Sequence, residues 1–215
     1  LSGHVAYRAV LPIEKMPEDL RWNAATLWAG PKCHMVHYPL QGWKTFNLVA
    51  TFQTEVDAVG VSEAGTREEI LSRFGNVVQR ARKLLEVPTE WRRWVLGDRE
   101  PIENWTDGRV TLLGDAAHPT HQYFAQGACM AMEDAVCLAD KFDKTNGDLD
   151  AAFQAYQHDR IIRAYRVVLS SRMLGRVYHA EGVERKIRNS VLGAKTPEEF
   201  YNGLQWLYGG NGLTP

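Results

Sequence analysis

The chain has 215 residues, 45% hydrophobic and 24% charged, which implies a globular protein of one large or two small domains and excludes a disordered one. The formal net charge of -1 gives no electrostatic reason to expect nucleic acid or an anionic membrane as partner. No apolar run approaches the roughly 18 residues needed to span a bilayer.

The N-terminus, Leu1-Ser-Gly-His-Val-Ala-Tyr7, lacks the basic start and apolar stretch of a signal peptide. It also lacks an initiating Met, so the native start is expected elsewhere. Residues 1 to about 60 read as strands. Val5, Tyr7, Ala9 and Leu11 alternate with more polar neighbours, as do Phe46, Leu48, Ala50 and Phe52. Between them, "HMVHYPL" and "TFNLVATF" flank Gln41-Gly42-Trp43-Lys44, which reads as a hairpin turn. Thr66 and Glu69 have capping-box spacing. One helix is expected after them, with Ile70, Phe74, Val77, Val78, Ala81, Leu84 and Leu85 on its apolar face and Pro88 as its stop.

Val110 to Leu113 is apolar on consecutive positions and reads as a short strand buried on both faces. The rest is helical. One helix runs from Gln126 to about Phe142. A long one, capped by Asp148 or Asp150, runs to about Ala180. Thr196-Pro197-Glu198-Glu199 combines a capping residue, Pro in the first turn and Glu three residues on. Cys33, Cys129 and Cys137 include no C-x-x-C, which predicts free thiols in a reducing cytoplasm.

Chemistry concentrates in "GRVTLLGDAAHPTHQYFAQGACMAMEDA", residues 108–135. The first turn of the Gly127 helix offers unpaired N–H groups and partial positive charge. Gly127 and Ala128 allow close approach to the backbone. Asp115 can accept hydrogen bonds from a polyol. A tight αβ connection with an Asp cap would use the same residue types. His34 and His37, three apart on a strand, point to opposite faces and do not make a metal site. His34 and Tyr38, four apart, share a face. His118 is expected to bond within its own loop, and the run Glu184 to Arg188 to be solvated. No G-x-S-x-G serine-hydrolase elbow occurs.

"GRVTLLGDAAHP" resembles the second flavin-binding motif of the class A FAD-dependent aromatic hydroxylases. Asp98-Arg-Glu-Pro101 and Trp105 upstream, and Val5-Ala-Tyr-Arg8 at the front, extend that resemblance along the chain. The resemblance implies an α+β fold: an antiparallel substrate-binding sheet, one flavin-domain strand and C-terminal helices, part of a p-hydroxybenzoate-hydroxylase-like FAD/NAD(P)-binding fold. It implies FAD as cofactor and NADH as co-substrate. Gly114 and Asp115 would meet the ribityl chain, Pro119 the isoalloxazine ring, and Gln126, Gly127 and Ala128 its pyrimidine edge.

"HPTHQYFAQGACMAMEDA" and "CHMVHYPL" are closer to the branch acting on 3-hydroxybenzoate than to the salicylate-hydroxylating branch. His34 would then be the base near the substrate phenol, Tyr38 a hydrogen-bonding pocket residue, and Gln122 a contact from the flavin loop. The implied partners are a small aromatic acid and O2. G-x-G-x-x-G and the family's downstream Asp-Gly motif do not occur, so the resemblance covers the C-terminal half. The expected organisation is a substrate-binding sheet and helix over 1–105 and a flavin-contacting part over 106–215, the dinucleotide-binding half being absent. The chain is expected as a homodimer or in association with that half. A non-catalytic module that only mediates oligomerisation is the alternative of another class.

Overall fold

The computed structural model describes residues 2–55 and 62–209. Its contacts divide the chain into two units. The first is Leu1–Gly97 with Arg176–Ser190, and the second is Asp98–Gly175 with Val191–Pro215. The end of the strand-like stretch, residues 56–60, lies outside the described residues.

The first unit is built on a six-stranded antiparallel sheet of order β2-β3-β4-β1-β6-β5. Its strands are β1 (His4–Pro12), β2 (Thr26–Gly30), β3 (Cys33–Leu40), β4 (Thr45–Gln53), β5 (Ser62–Gly65) and β6 (Trp91–Leu96). The β3–β4 hairpin forms as expected. Gln41, Gly42 and Trp43 carry its turn at positive φ, and Cys33 pairs with Phe52 through to Leu40 with Thr45.

Alternation decides what each face buries. Val5, Tyr7, Leu11, Met35, Phe46, Leu48, Ala50 and Phe52 enter one core with Ile70, Phe74, Leu84 and Leu85. The spacing predicts β4 as half-buried. The structure buries every residue from Phe46 to Phe52, because β4 is an inner strand and both of its faces are covered.

The single helix expected after Thr66 is two: α1 (Arg67–Arg73) and α2 (Gln79–Glu86). Gly75 and Asn76, weak helix formers, fall in the break. The apolar spacing persists across it because both helices serve the same core, whereas Val78 is 58% exposed. Thr66 accepts from the Glu69 N–H, but the Glu69 carboxylate accepts from the Tyr7 hydroxyl, so the cap is one-sided. That contact follows burial as a cause of the Tyr7 pKa being pushed up to about 12.

The second unit contains a two-residue ribbon, β7 (Thr106–Asp107) with β8 (Val110–Thr111). Here the structure corrects the reading of a buried strand: Val110 is 64% exposed, because among the described residues β7 alone pairs with β8. The helices are α3 (Gly127–Lys144), α4 (Leu149–Tyr178), α5 (Gly182–Gly193), α6 (Pro197–Gly203) and α7 (Gln205–Tyr208). The last residues of α4, and α5 up to Ser190, count with the first unit. Asp148 caps α4 by accepting from the Ala151 N–H at 3.1 Å. At Thr196 the reciprocal capping box closes. No helix among the described residues is long and apolar enough to cross a membrane.

Candidate active site

In the second unit the chain leaves β8 and turns at Gly114. Its φ of +58° is a left-handed value that favours glycine, and a Cβ there would lie 3.2 Å from the Cβ of Ala131 on α3. The glycine therefore lets the backbone lie close against the helix. Ala117 and His118 both donate N–H to the Gly114 carbonyl at 2.9 Å, which tightens the turn and leaves Asp115 exposed at its tip.

Beneath the turn lies a carboxylate that the sequence reading missed. Asp134 of α3, fully buried, accepts from the Gly114 N–H at 3.0 Å, His118 Nε2 at 2.6 Å and Arg160 Nε of α4 at 2.7 Å. Burial pushes the Asp134 pKa up. The hydrogen bonds from His118, Arg160 and Gly114 outweigh it and hold the carboxyl below its ordinary range. Glu133 continues the network, 2.8 Å from Arg160 Nη1 and bonded by Arg163 through two nitrogens at 2.7 Å. His118 thus bonds outside its loop, to α3.

Further contacts from α4 fix the rest of the segment. Tyr156 donates to the Leu112 carbonyl at 3.1 Å, Tyr165 to that of Ala117 at 3.2 Å, and Ser171 to that of His121 at 2.9 Å. Pro119 and Gln122 are half-buried. Gly175 of α4 faces the Tyr123 ring, and a Cβ there would fall 2.5 Å from Tyr123 Cε2.

Ala125 then takes a φ of +54° and α3 begins. Gln126 stands at its N-cap with no side-chain capping bond, Gly127 is half-buried and Ala128 is exposed. The first turn of this helix therefore lacks a side-chain cap, and its N–H groups and partial positive charge suit a partner carrying negative charge. Gly114, Asp115, Pro119, Gln126, Gly127 and Ala128 therefore lie on one continuous stretch that offers an exposed carboxylate, a ring and a bare helix start. That donor set fits a flavin: hydroxyls for Asp115, an electron-rich ring edge for the N–H groups.

In the first unit, the β3 register places His34, Val36 and Tyr38 on the sheet face opposite the core of Met35 and Leu48. Their cross-strand neighbours on β4 are Thr51, Val49 and Asn47. The face grades from buried to open: His34 and Thr51 are buried, Val36 and Tyr38 are half-buried, and Val10 is 59% exposed. His37 turns to the other side, where its ring lies 5.8 Å from that of Trp22 and 6.1 Å from that of Trp28. Burial, then the nearby Arg80, lowers the His37 pKa to about 4.

His34 Nδ1 stands 2.6 Å from Nε2 of His179, another residue that the sequence reading did not single out. Burial, then the neighbouring His179 and His4, lowers the His34 pKa well below its usual value. At neutral pH His34 is an uncharged imidazole.

Residues 8–171 match the protein family described as FAD binding domain. The chain is 53% identical over 212 residues to a 3-hydroxybenzoate 6-hydroxylase of Polaromonas naphthalenivorans (strain CJ2), an alignment covering 98% of the chain and 53% of that protein. It is 54% identical to 3-hydroxybenzoate 6-hydroxylase 2 of Aquipseudomonas alcaligenes, covering 98% of the chain and 66% of that protein. Among solved structures it resembles a salicylate hydroxylase substrate complex, with a TM-score of 0.80 at 26% identity over 98% of the chain and 56% of that structure. It also resembles Klebsiella pneumoniae HpxO complexed with FAD and uric acid, with a TM-score of 0.80 at 25% identity over 94% of the chain and 52% of that structure. The chain spans between half and two thirds of the length of these curated relatives.

Proposed function

The chain belongs to the FAD binding domain family, and from that membership we propose that it is part of a flavin-dependent monooxygenase converting 3-hydroxybenzoate to 2,5-dihydroxybenzoate (gentisate) with NADH and O2. The observation that carries this reading is the stretch from Gly114 to Ala128, which offers an exposed Asp115 and an uncapped helix start on one buried ion network. Identity of 53% and 54% to two 3-hydroxybenzoate 6-hydroxylases favours that substrate over salicylate.

FAD, reduced by NADH, supplies the activation of O2; the chain's residues bind, orient and exclude water. Gly114 and Asp115 would hold the ribityl hydroxyls, Pro119 would pack on the flavin ring, and Gln126, Gly127 and Ala128 would supply N–H groups and partial positive charge to the flavin's pyrimidine edge. His34, neutral before the reaction, takes the proton of the substrate 3-hydroxyl. The phenolate then carries its extra electron density to the para carbon, position 6, where oxygen is added. Tyr38 and Gln122 hydrogen-bond the aromatic acid. On this reading residues 1–105 would supply the substrate part and 106–215 the flavin-contacting part, in the cytoplasm, as a homodimer or in association with the dinucleotide-binding half.

The test is product analysis. The full-length, FAD-loaded enzyme of which this chain is part, given 3-hydroxybenzoate, NADH and O2, should yield gentisate, whereas the 215-residue chain alone should neither retain FAD nor turn over. His34→Ala should lower gentisate formation about 10²–10⁴-fold while NADH oxidation continues and releases H2O2. Catechol from salicylate, with 3-hydroxybenzoate left unchanged, overturns the substrate assignment. Unchanged gentisate yield per NADH in His34→Ala overturns the role of His34.

A further inference from the structure

α7 is four residues long, too short to stand as a helix by itself, and its place comes from the side chains that grip it. Leu207 is buried in the core of the second unit. The carbonyls of Trp206 and Leu207, in the last turn, accept from Arg163 of α4 at 3.2 and 3.3 Å. Glu133 of α3 holds that arginine through two nitrogens at 2.7 Å. The Arg166 guanidinium lies over the Trp206 ring, 4.1 Å from its centroid. Through Glu133 and Arg160, α7 is anchored on the ion network beneath the Gly114 turn.

From that anchor α7 reaches the Gln122–Phe124 turn in two places. The Phe124 and Trp206 rings meet edge to face, centroids 6.1 Å apart and planes at 88°. The Tyr208 hydroxyl donates to the Phe124 carbonyl at 3.0 Å. The same peptide group carries the Ala125 N–H, which donates to the Gln122 carbonyl at 2.9 Å. One peptide therefore joins Tyr208 to Gln122 through two hydrogen bonds. It leads into Ala125 at φ +54°, a setting that is uphill for alanine, whose methyl makes no hydrogen bond to offset it. Beyond Ala125 come Gln126 and the start of α3. The orientation of this peptide thus sets the angle between the Gln122 turn and the α3 start. We propose that Trp206 and Tyr208 are positioning residues, which hold the Phe124–Ala125 peptide in its left-handed setting and so place Gln122 against the aromatic acid. This rests on the roles of Gln122 and of the α3 start proposed above. Neither residue makes or breaks a bond to substrate. When the acid is misplaced, NADH, a proton and O2 give NAD⁺ and H2O2, and no oxygen reaches the ring.

The test uses the full-length, FAD-loaded enzyme and reads two quantities. One is the Kd of 3-hydroxybenzoate, from the change it causes in flavin absorbance without O2 or NADH. The other is gentisate formed per NADH. Tyr208→Phe keeps the ring and removes the donor. It should weaken 3-hydroxybenzoate binding about 3–10-fold, the loss of one hydrogen bond, and lower gentisate per NADH, with H2O2 making up the difference. Glycine takes a positive φ as readily as a negative one, so adding Ala125→Gly to Tyr208→Phe should bring both quantities back toward the parent. Unchanged binding and yield in Tyr208→Phe overturn the proposal. A loss that Ala125→Gly leaves uncorrected also overturns it, because that is what a merely structural role of α7 would give. Trp206→Leu removes the ring that Phe124 meets and should show the same two changes; parent-like values there overturn the role of Trp206. If Trp206→Leu does not fold, the Tyr208→Phe pair decides. Failure of the underlying reading looks different, since Gln122→Ala would then bind 3-hydroxybenzoate and form gentisate as the parent does.

Discussion

The two units bury polar side chains by opposite means. In the first, His34, His37 and His179 are buried among other rings and kept neutral. In the second, Asp134 and Arg160 are buried as charges, each satisfied by several partners. A neutral ring in a core costs little until something offers it a proton. A buried ion pair costs a great deal as soon as one partner leaves.

Removing a partner is the most damaging way to break that contrast. Asp134→Ala leaves Arg160 charged and the Gly114 N–H unbonded, and should destabilise the second unit by about 3–5 kcal/mol. Hydrogen exchange of the α3 and α4 amides would report it. A loss below 1 kcal/mol would mean that the network is not what holds the Gly114 turn.

Acid should separate the units next. The folded pKa lies about 4 for His37 and about 3 for His179, and that of His34 is also lowered, against about 6.5 in the unfolded chain. Below that unfolded value the unfolded state binds protons that the folded state refuses. Each histidine then removes about 1.4 kcal/mol of stability per pH unit. In the second unit His121 is lowered in the same way by burial, with Asp98 working against it, whereas the lowered Asp134 and Glu133 contribute stability that is lost only in the carboxylate range. Between about pH 6.5 and 4.5, protection of β3 and β4 amides should therefore fall more steeply than that of α3. Equal slopes would remove the distinction.

A single substitution sharpens the point. His37→Phe replaces one buried ring by another of similar size, so stability near pH 7.5 should change by less than about 1.5 kcal/mol. Below pH 6 the variant should gain on the parent by about 1.4 kcal/mol per pH unit. Denaturant midpoints at the two pH values measure both. The smallest effect concerns helix starts: Thr66→Ala and Thr196→Ala should each cost about 1 kcal/mol, seen as faster exchange in the first turns of α1 and α6.

Local signals in the sequence were legible where one element determined its own form. The β3–β4 hairpin, the Thr196 cap and the start of α3 at Gly127 all follow from neighbouring residues. What stayed hidden depends on distant ones. Asp134 sits in "MEDA", which reads as a small-residue helix, until Arg160 arrives from 26 residues on. Arg160 itself lies in "HDRIIRAYR", which has the composition of a solvated face. His179 is 145 residues from His34, with no periodicity to connect them. The Phe74–Val78 break failed to show because both helices feed one core, so the apolar spacing ran on.

Gly175 gives the second unit a different kind of specificity. A glycine inside a helix costs about 1 kcal/mol relative to alanine, yet the missing methyl is the space in which the Tyr123 ring lies. Tyr123 adjoins Gln122 in the same short 3-10 turn. The setting of that turn is therefore registered against α4 by a void, as a key is by its ward. A substitution that improves the helix on its own terms, Gly175→Ala, would displace the ring and carry Gln122 with it.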